Sequence, residues 1–302
     1  VISTRDLRWS WQGQDIVLGL DEAGHGPLVL LLPALSSIST RAEMHPLMQR
    51  LAADFRAVAV DWPGFGTRAR PLLHWTPEAL SAFLHDALQT LGAPAARRSA
   101  PPLVVAAGHG ATYLLHYAAA HAGAIARAAL IAPTWRGPLP TMAGGDRPFF
   151  HKIRRAIETP FIGPALYRLN VNDFVIRKMV GGHVYSDPRW LTASRLAEKR
   201  KAVEAPGARF ASAGFVTGGL DRASSREEFL ALARRANLPL LVVYGAQTPA
   251  RSRAEMEALT ALPGVRALCV AHGKLAVHEE FPDAVCGAIG AFLHEAAEPS
   301  AP

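Results

Sequence analysis

Cysteine is scarce in this chain, with only Cys269 and Cys286 among 302 residues. Two cysteines cannot build a multi-disulfide framework or a four-cysteine zinc module, so small disulfide-stapled folds are excluded. Both are read as small buried apolar residues in a reducing, cytoplasmic setting. Long apolar runs are missing too. The longest, such as Pro27 to Ala34, has the length of a strand and falls well short of the roughly 20 residues of a membrane-spanning helix. The opening residues Val1–Asp6 hold no charged-then-apolar leader. There is no H-E-x-x-H, no P-loop and no G-x-G-x-x-G, and the twelve histidines show no metal-ligand spacing. No metal and no cofactor is therefore expected. The basic residues are not interleaved with stacking aromatics and match no nucleic-acid motif, so no nucleic-acid partner is expected.

Half of the residues are hydrophobic, enough for a sizeable core. The length suits one large α/β domain, or one domain carrying an insert. The net charge is +7, and much of it is local: Asp146 to Glu204 holds twelve Lys/Arg against six Asp/Glu. Such an excess suits a solvated helical surface, and it also suits peripheral contact with anionic lipid or an acidic partner.

The chain opens on an alternating pair, Leu7–Trp11 and Ile16–Leu20, around Gly13, which reads as an antiparallel hairpin. Continuous apolar runs follow at Leu28–Leu32, Ala57–Val60, Leu103–Ala107, Ala128–Ala132, Leu238–Tyr244 and Val265–Val270. Stretches of helical spacing separate them: Met44–Ala52, Pro77–Leu91, Thr112–Ala120, Glu227–Ala236, Arg253–Ala261 and Ala284–Ala296. Apolar runs alternating with helices predict a mostly parallel sheet covered on both faces. The alternation breaks at residues 134–221, where Pro and Gly cut short helical stretches. This segment is expected to form a helical cap, leaving 1–133 and 222–296 as the core and 297–302 as a frayed tail. Phe149, Phe150, Ile153, Ile157, Phe161, Ile162, Leu166 and Tyr167 are expected to pack mainly as the core of that cap.

Several stretches resemble the α/β-hydrolase superfamily. They are Leu28–Leu32 with its following loop, the D-x-P-G-F-G run Asp61–Gly66, the strand-and-turn Leu103–Gly110, and His278-Glu279-Glu280-Phe281-Pro282. The resemblance implies an eight-stranded, mostly parallel sheet flanked by helices, with a cleft beneath the cap. It also implies a serine at the apex of the turn after the Leu103–Ala107 strand, where the pattern is G-x-S-x-G. Aligned as Gly108-His109-Gly110, the apex falls on Gly110, which offers no nucleophile. By the same resemblance Thr248 stands in the acid position and Lys274 in that of the histidine, with His272 and His278 nearby as acid/base groups. The triad read this way is degenerate.

The backbone donors of an oxyanion pocket do not depend on side chains. Leu35 or Ser36, together with Ala111, is expected to supply them. Ser37, Trp62, His109, Gly110 and Trp135 are expected to line the same site. The leading expectation is thus a protein that binds a small apolar carbonyl or carboxylate compound without hydrolysing it. The alternative is an enzyme of the superfamily, esterase-like or a lyase or isomerase, that moves protons through a histidine. Two further readings are an ester hydrolase whose serine has been replaced by Gly110, and an interaction protein using its basic cap.

Overall fold

The computed structural model describes residues 1–92 and 100–295; the expected tail and the end of the last helix at Ala296 lie outside the described residues. Eight strands form one sheet: β1 Ser3–Trp11, β2 Gln14–Ala23, β3 Leu28–Leu32, β4 Arg56–Val60, β5 Leu103–Ala107, β6 Arg127–Ile131, β7 Leu240–Gly245 and β8 Val265–Val270. Their order is β1-β2-β4-β3-β5-β6-β7-β8. The β1–β2 hairpin closes with Trp11 opposite Gln14, and both loop residues, Gln12 and Gly13, take positive φ, as a tight two-residue turn requires. Strand β2 meets β4 antiparallel, and every later pairing is parallel. This is the doubly wound α/β-hydrolase fold.

Thirteen α-helices accompany the sheet among the described residues. Those of the core are α1 His45–Leu51, α2 Pro77–Gly92, α3 Gly110–Ala120, α10 Arg226–Ala236, α11 Ala250–Thr260, α12 Val277–Glu280 and α13 Pro282–His294. Between β6 and α10 the chain runs through α4 Pro138–Ala143, α5 Pro148–Glu158, α6 Gly163–Asn170, α7 Asp173–Met179, α8 Ala193–Glu204 and α9 Ala208–Val216. No helix is long and apolar enough to cross a membrane among the described residues.

The central strands are buried on both faces, which is why they read as unbroken apolar runs. Strand β8 departs from that expectation: it is the sheet's edge and is largely exposed, Cys269 included. Only Cys286 is the buried thiol expected of both cysteines.

A polar knot ties β2 and β4 together. Arg41 binds Asp61 through its backbone N–H (2.7 Å) and Nη1 (2.6 Å), and its Nε lies 3.0 Å from Asp21. Gly19 makes room for the guanidinium, since a Cβ there would sit 2.1 Å from Arg41 Nη1. Burial pushes the Asp61 carboxyl up despite Arg41, whereas hydrogen bonds from His45, Thr4 and Arg41 overcome burial at Asp21 and bring it down to about 2.

The helical segment is anchored by Arg154, which is buried although it sits on amphipathic α5. It binds Glu158 (2.8 Å), Trp75 O (2.6 Å) and Gly219 O (3.2 Å). Phe150 and Tyr167 are buried, as expected of a packed insert. Phe149, Phe161 and Ile162 are not: they are 63%, 91% and 64% exposed, so the apolar stripe of this segment faces outward as well as inward.

Candidate functional site

The loops that follow β3, β5, β6, β7 and β8 share the carboxyl-terminal edge of the sheet, the usual place for a site in this architecture. The sharp turn after β5 lies at Gly108, with φ +52, directly behind Ala107. A Cβ at Gly108 would meet Ala34 Cβ at 3.1 Å. Gly110, read from sequence as the apex, is instead the first residue of α3. It is buried, and a Cβ on it would press on Trp62 Cζ2 at 3.2 Å and Pro33 O at 3.3 Å. Both residues are glycines flanking His109, so composition alone does not separate them; the sign of φ does. The apex residue carries no side chain in either register.

This shift moves the backbone donors. The Ala111 N–H, expected to be free, donates to Gly108 O at 3.3 Å. The residue after the turn is His109, and among the described residues neither its N–H nor that of Leu35 is paired with a backbone acceptor. The adjacent Ala34 N–H donates to Glu43 Oε1 at 2.6 Å, which fixes the loop carrying Leu35.

The expected lining residues divide. Leu35 is buried and Ser36 and Ser37 are half-buried on this loop, where Ser36 Oγ accepts from Ile38 N–H at 3.4 Å. Trp62 is buried and structural: its Nε1 donates to Pro33 O at 2.9 Å, and its ring packs on Phe83 and Tyr113. Trp135 is buried too, donating to Glu255 at 3.1 Å beside a cavity of about 10 Å³ lined in part by Thr134, Trp135 and Arg251. A larger recess, about 460 Å³, lies at the opposite end of the sheet, between Arg127, Pro239 and Arg266.

The positions read as a triad do not converge. Thr248 is buried, and its hydroxyl has no hydrogen-bond partner among the described residues. Lys274 Nζ donates to Gly181 O at 2.7 Å, which ties the loop after β8 to the helical segment. His272 is exposed, 3.5 Å from Gln247 Nε2.

His278 is buried, 3.7 Å from Glu43 Oε1. Burial raises the Glu43 carboxyl, yet His278, Lys199 and the Ala34 N–H together hold it below the usual carboxylate range. Glu43, His278 and Glu279 bring one donor atom each within 4.8 Å of one another, a spacing that suits a cation. Lys199 Nζ already stands 3.2 Å from both Glu279 oxygens, and Tyr185 donates to Glu279 at 2.7 Å, so an ammonium supplies the positive charge there.

A different array forms at the turn itself. His109 is 1% exposed, and Phe215 meets its ring edge-on. The hydroxyl of Thr134 lies 3.4 Å from His109 Nδ1. The Asp221 carboxylate lies 3.0 Å from His109 Nε2 without hydrogen-bond geometry, a contact that becomes an ion pair when the ring is protonated. Asp221 also accepts from Gly137 N–H at 2.9 and 3.1 Å. Burial first, and then the Asp221 charge, push the phenol of neighbouring Tyr113 well above its ordinary range. A hydroxyl, an imidazole and a carboxylate thus stand in sequence beside the turn, from Thr134 after β6 and Asp221 after α9. Sequence reasoning missed Thr134 and Asp221: the resemblance places the acid after β7, or after β6 where Thr134 stands and offers no carboxylate, and it places no partner after α9.

Solved structures share the fold. An epoxide hydrolase from Acinetobacter nosocomialis is 18% identical with a TM-score of 0.73, covering 96% of this chain and 89% of its own. A thermophilic esterase from Thermogutta terrifontis is 20% identical with a TM-score of 0.72, covering 97% and 99%. An enol-lactonase from Burkholderia xenovorans is 20% identical with a TM-score of 0.68, covering 95% and 100%. No curated protein matches the sequence. The sequence pattern described as "Alpha/beta hydrolase family" matches residues 20–288, most of the length. Together with the strand order, that match establishes that the chain belongs to the alpha/beta hydrolase family.

Proposed function

We propose that the protein is an enzyme of this family, an esterase-like hydrolase of small, neutral carbonyl compounds that works through His109 rather than through a serine at the turn. The observation that carries the reading is the Thr134–His109–Asp221 array, with separations of 3.4 and 3.0 Å. In this reading Nδ1 of His109 takes the proton of the Thr134 hydroxyl as its oxygen attacks the substrate carbonyl. The N–H groups of Leu35 and His109 meet the developing oxyanion. Asp221 favours the imidazolium that results and orients the ring. The ester and lactone chemistry named for two structural neighbours supports the substrate class. The degenerate pattern at Thr248 and Lys274 then describes positions this chain does not use.

A second reading, binding without turnover, is favoured by the bare turn at Gly108. The two part on one experiment. Purified protein is assayed on p-nitrophenyl esters and enol-lactones beside Thr134→Val and His109→Phe. Loss of a proton-transfer group lowers turnover by about 10²–10⁴-fold. Turnover lost in both variants supports the enzyme. Ligand-dependent thermal stabilisation with no turnover by any form supports the binder. Turnover unchanged in both variants overturns the assignment of His109.

A further inference from the structure

Seven of the nine most exposed large apolar side chains among the described residues fall within residues 142–179. Phe149, Phe161, Ile162, Leu169 and Phe174 are all more than three-fifths exposed. They lie on α5, on the turn between α5 and α6, on α6 and on α7. On α6 the exposed positions Ile162, Ala165 and Leu169 recur at helical spacing, while Tyr167 turns inward. Phe149 opens α5, and Phe174 lies in the first turn of α7. Each of these helices also presents cations: Lys152 and Arg155 on α5, Arg168 on α6, Arg177 and Lys178 on α7, all exposed. Residues 146–179 hold seven Lys/Arg and three Asp/Glu. The three acids are already engaged, Asp146 by His151, Glu158 by Arg154 and Asp173 by Arg200. The five exposed cations have no carboxylate within 4 Å among the described residues.

From this pairing of exposed aromatics with uncompensated cations we infer that α5–α7 form a docking face for an anionic lipid bilayer. Aromatic and aliphatic side chains enter the boundary between headgroups and acyl chains, while arginine and lysine meet lipid phosphates. A second copy of the chain fits the face poorly. A two-fold contact sets each patch against its own kind and brings the same unpaired cations together. The inference rests on surface side chains and is independent of the chemistry proposed for His109.

The test is sedimentation of the full chain with phosphatidylcholine vesicles, with and without phosphatidylglycerol, over a range of salt. Binding is expected only with phosphatidylglycerol and weakens as salt screens the cations. Arg155→Glu with Arg168→Glu lowers the partition coefficient by more than about tenfold, since each basic residue near the surface is worth roughly fivefold. Phe161→Ser with Ile162→Ser lowers it by about tenfold or more at every salt concentration, because apolar burial is not screened. All four positions are exposed, so both double variants are expected to keep the parental circular dichroism. Failure to bind phosphatidylglycerol vesicles overturns the inference, as does undiminished binding by both variants. So does a dimer in analytical ultracentrifugation that Phe161→Ser with Ile162→Ser dissociates, which assigns the face to self-association.

Discussion

Asp221 holds two jobs that substitution separates. Its carboxylate faces His109 Nε2 at 3.0 Å and accepts the Gly137 N–H at 2.9 and 3.1 Å. Asp221→Asn keeps a carbonyl oxygen for Gly137 and removes the charge. Its expected stability loss is about 1 kcal/mol or less, the net worth of an ordinary hydrogen bond. Its expected loss of turnover is about 10²–10⁴-fold, because the imidazolium formed during the reaction loses its counter-charge. Asp221→Ala loses the charge and also leaves the buried Gly137 N–H without an acceptor, at a cost of about 1–3 kcal/mol. Urea unfolding measures the first quantity and steady-state ester hydrolysis the second. Because the carboxylate acts through the ring, Asp221→Asn added to His109→Phe is expected to cost no further turnover. An Asp221→Asn protein as active as the parent, or a full additive loss in the double variant, refutes the reasoning.

Other outcomes follow from the same structure. Arg154→Ala takes one partner from Glu158, which keeps His74, strands the carbonyls of Trp75 and Gly219, and is expected to destabilise the fold by about 1–3 kcal/mol, read as a lower urea midpoint. Gly108→Ser places a β-carbon at φ +52 and 3.1 Å from Ala34 Cβ, which costs about 1–2 kcal/mol. A correspondingly lower urea midpoint checks that cost. The Asp21 carboxyl is about 2 when folded, below its unfolded value. Its contribution of about 2 kcal/mol is present in full above roughly pH 4 and is lost as the pH falls through about 2. Asp21→Asn is accordingly expected to flatten the acid limb of a stability-versus-pH curve measured by urea unfolding.

Much of the fold was legible because burial writes itself into composition. Leu28–Leu32, Leu103–Ala107 and Val265–Val270 are strands with the ends read from sequence. Strand β8 shows the limit of that signal: an apolar run says that a strand forms, not that both its faces are covered. Phe161 and Ile162 show the same ambiguity in a helical segment, where an apolar stripe is equally suited to a core or to an outside partner. The site was less legible. Two glycines around His109 look alike until their torsions are known, and the neighbour of His109 that matters, Asp221, sits beyond seven intervening α-helices. Proximity of that kind is created by topology, which spacing along the chain does not record.

The bond from Gly137 to Asp221 joins residues 84 apart and clasps the two stems of the segment between them. A stretch of chain pinched shut at its base contributes to the molecule as a closed appendage. Lengthening it changes the closure entropy only logarithmically, by about 0.6 kcal/mol per doubling. The parallel register of β6 and β7 beneath is untouched by such changes. The parts of the segment that touch no core residue are thus free to vary in size and surface character, while Arg154, Tyr185 and Lys199 stay tied to the core and the group that fastens the clasp remains in touch with the imidazole.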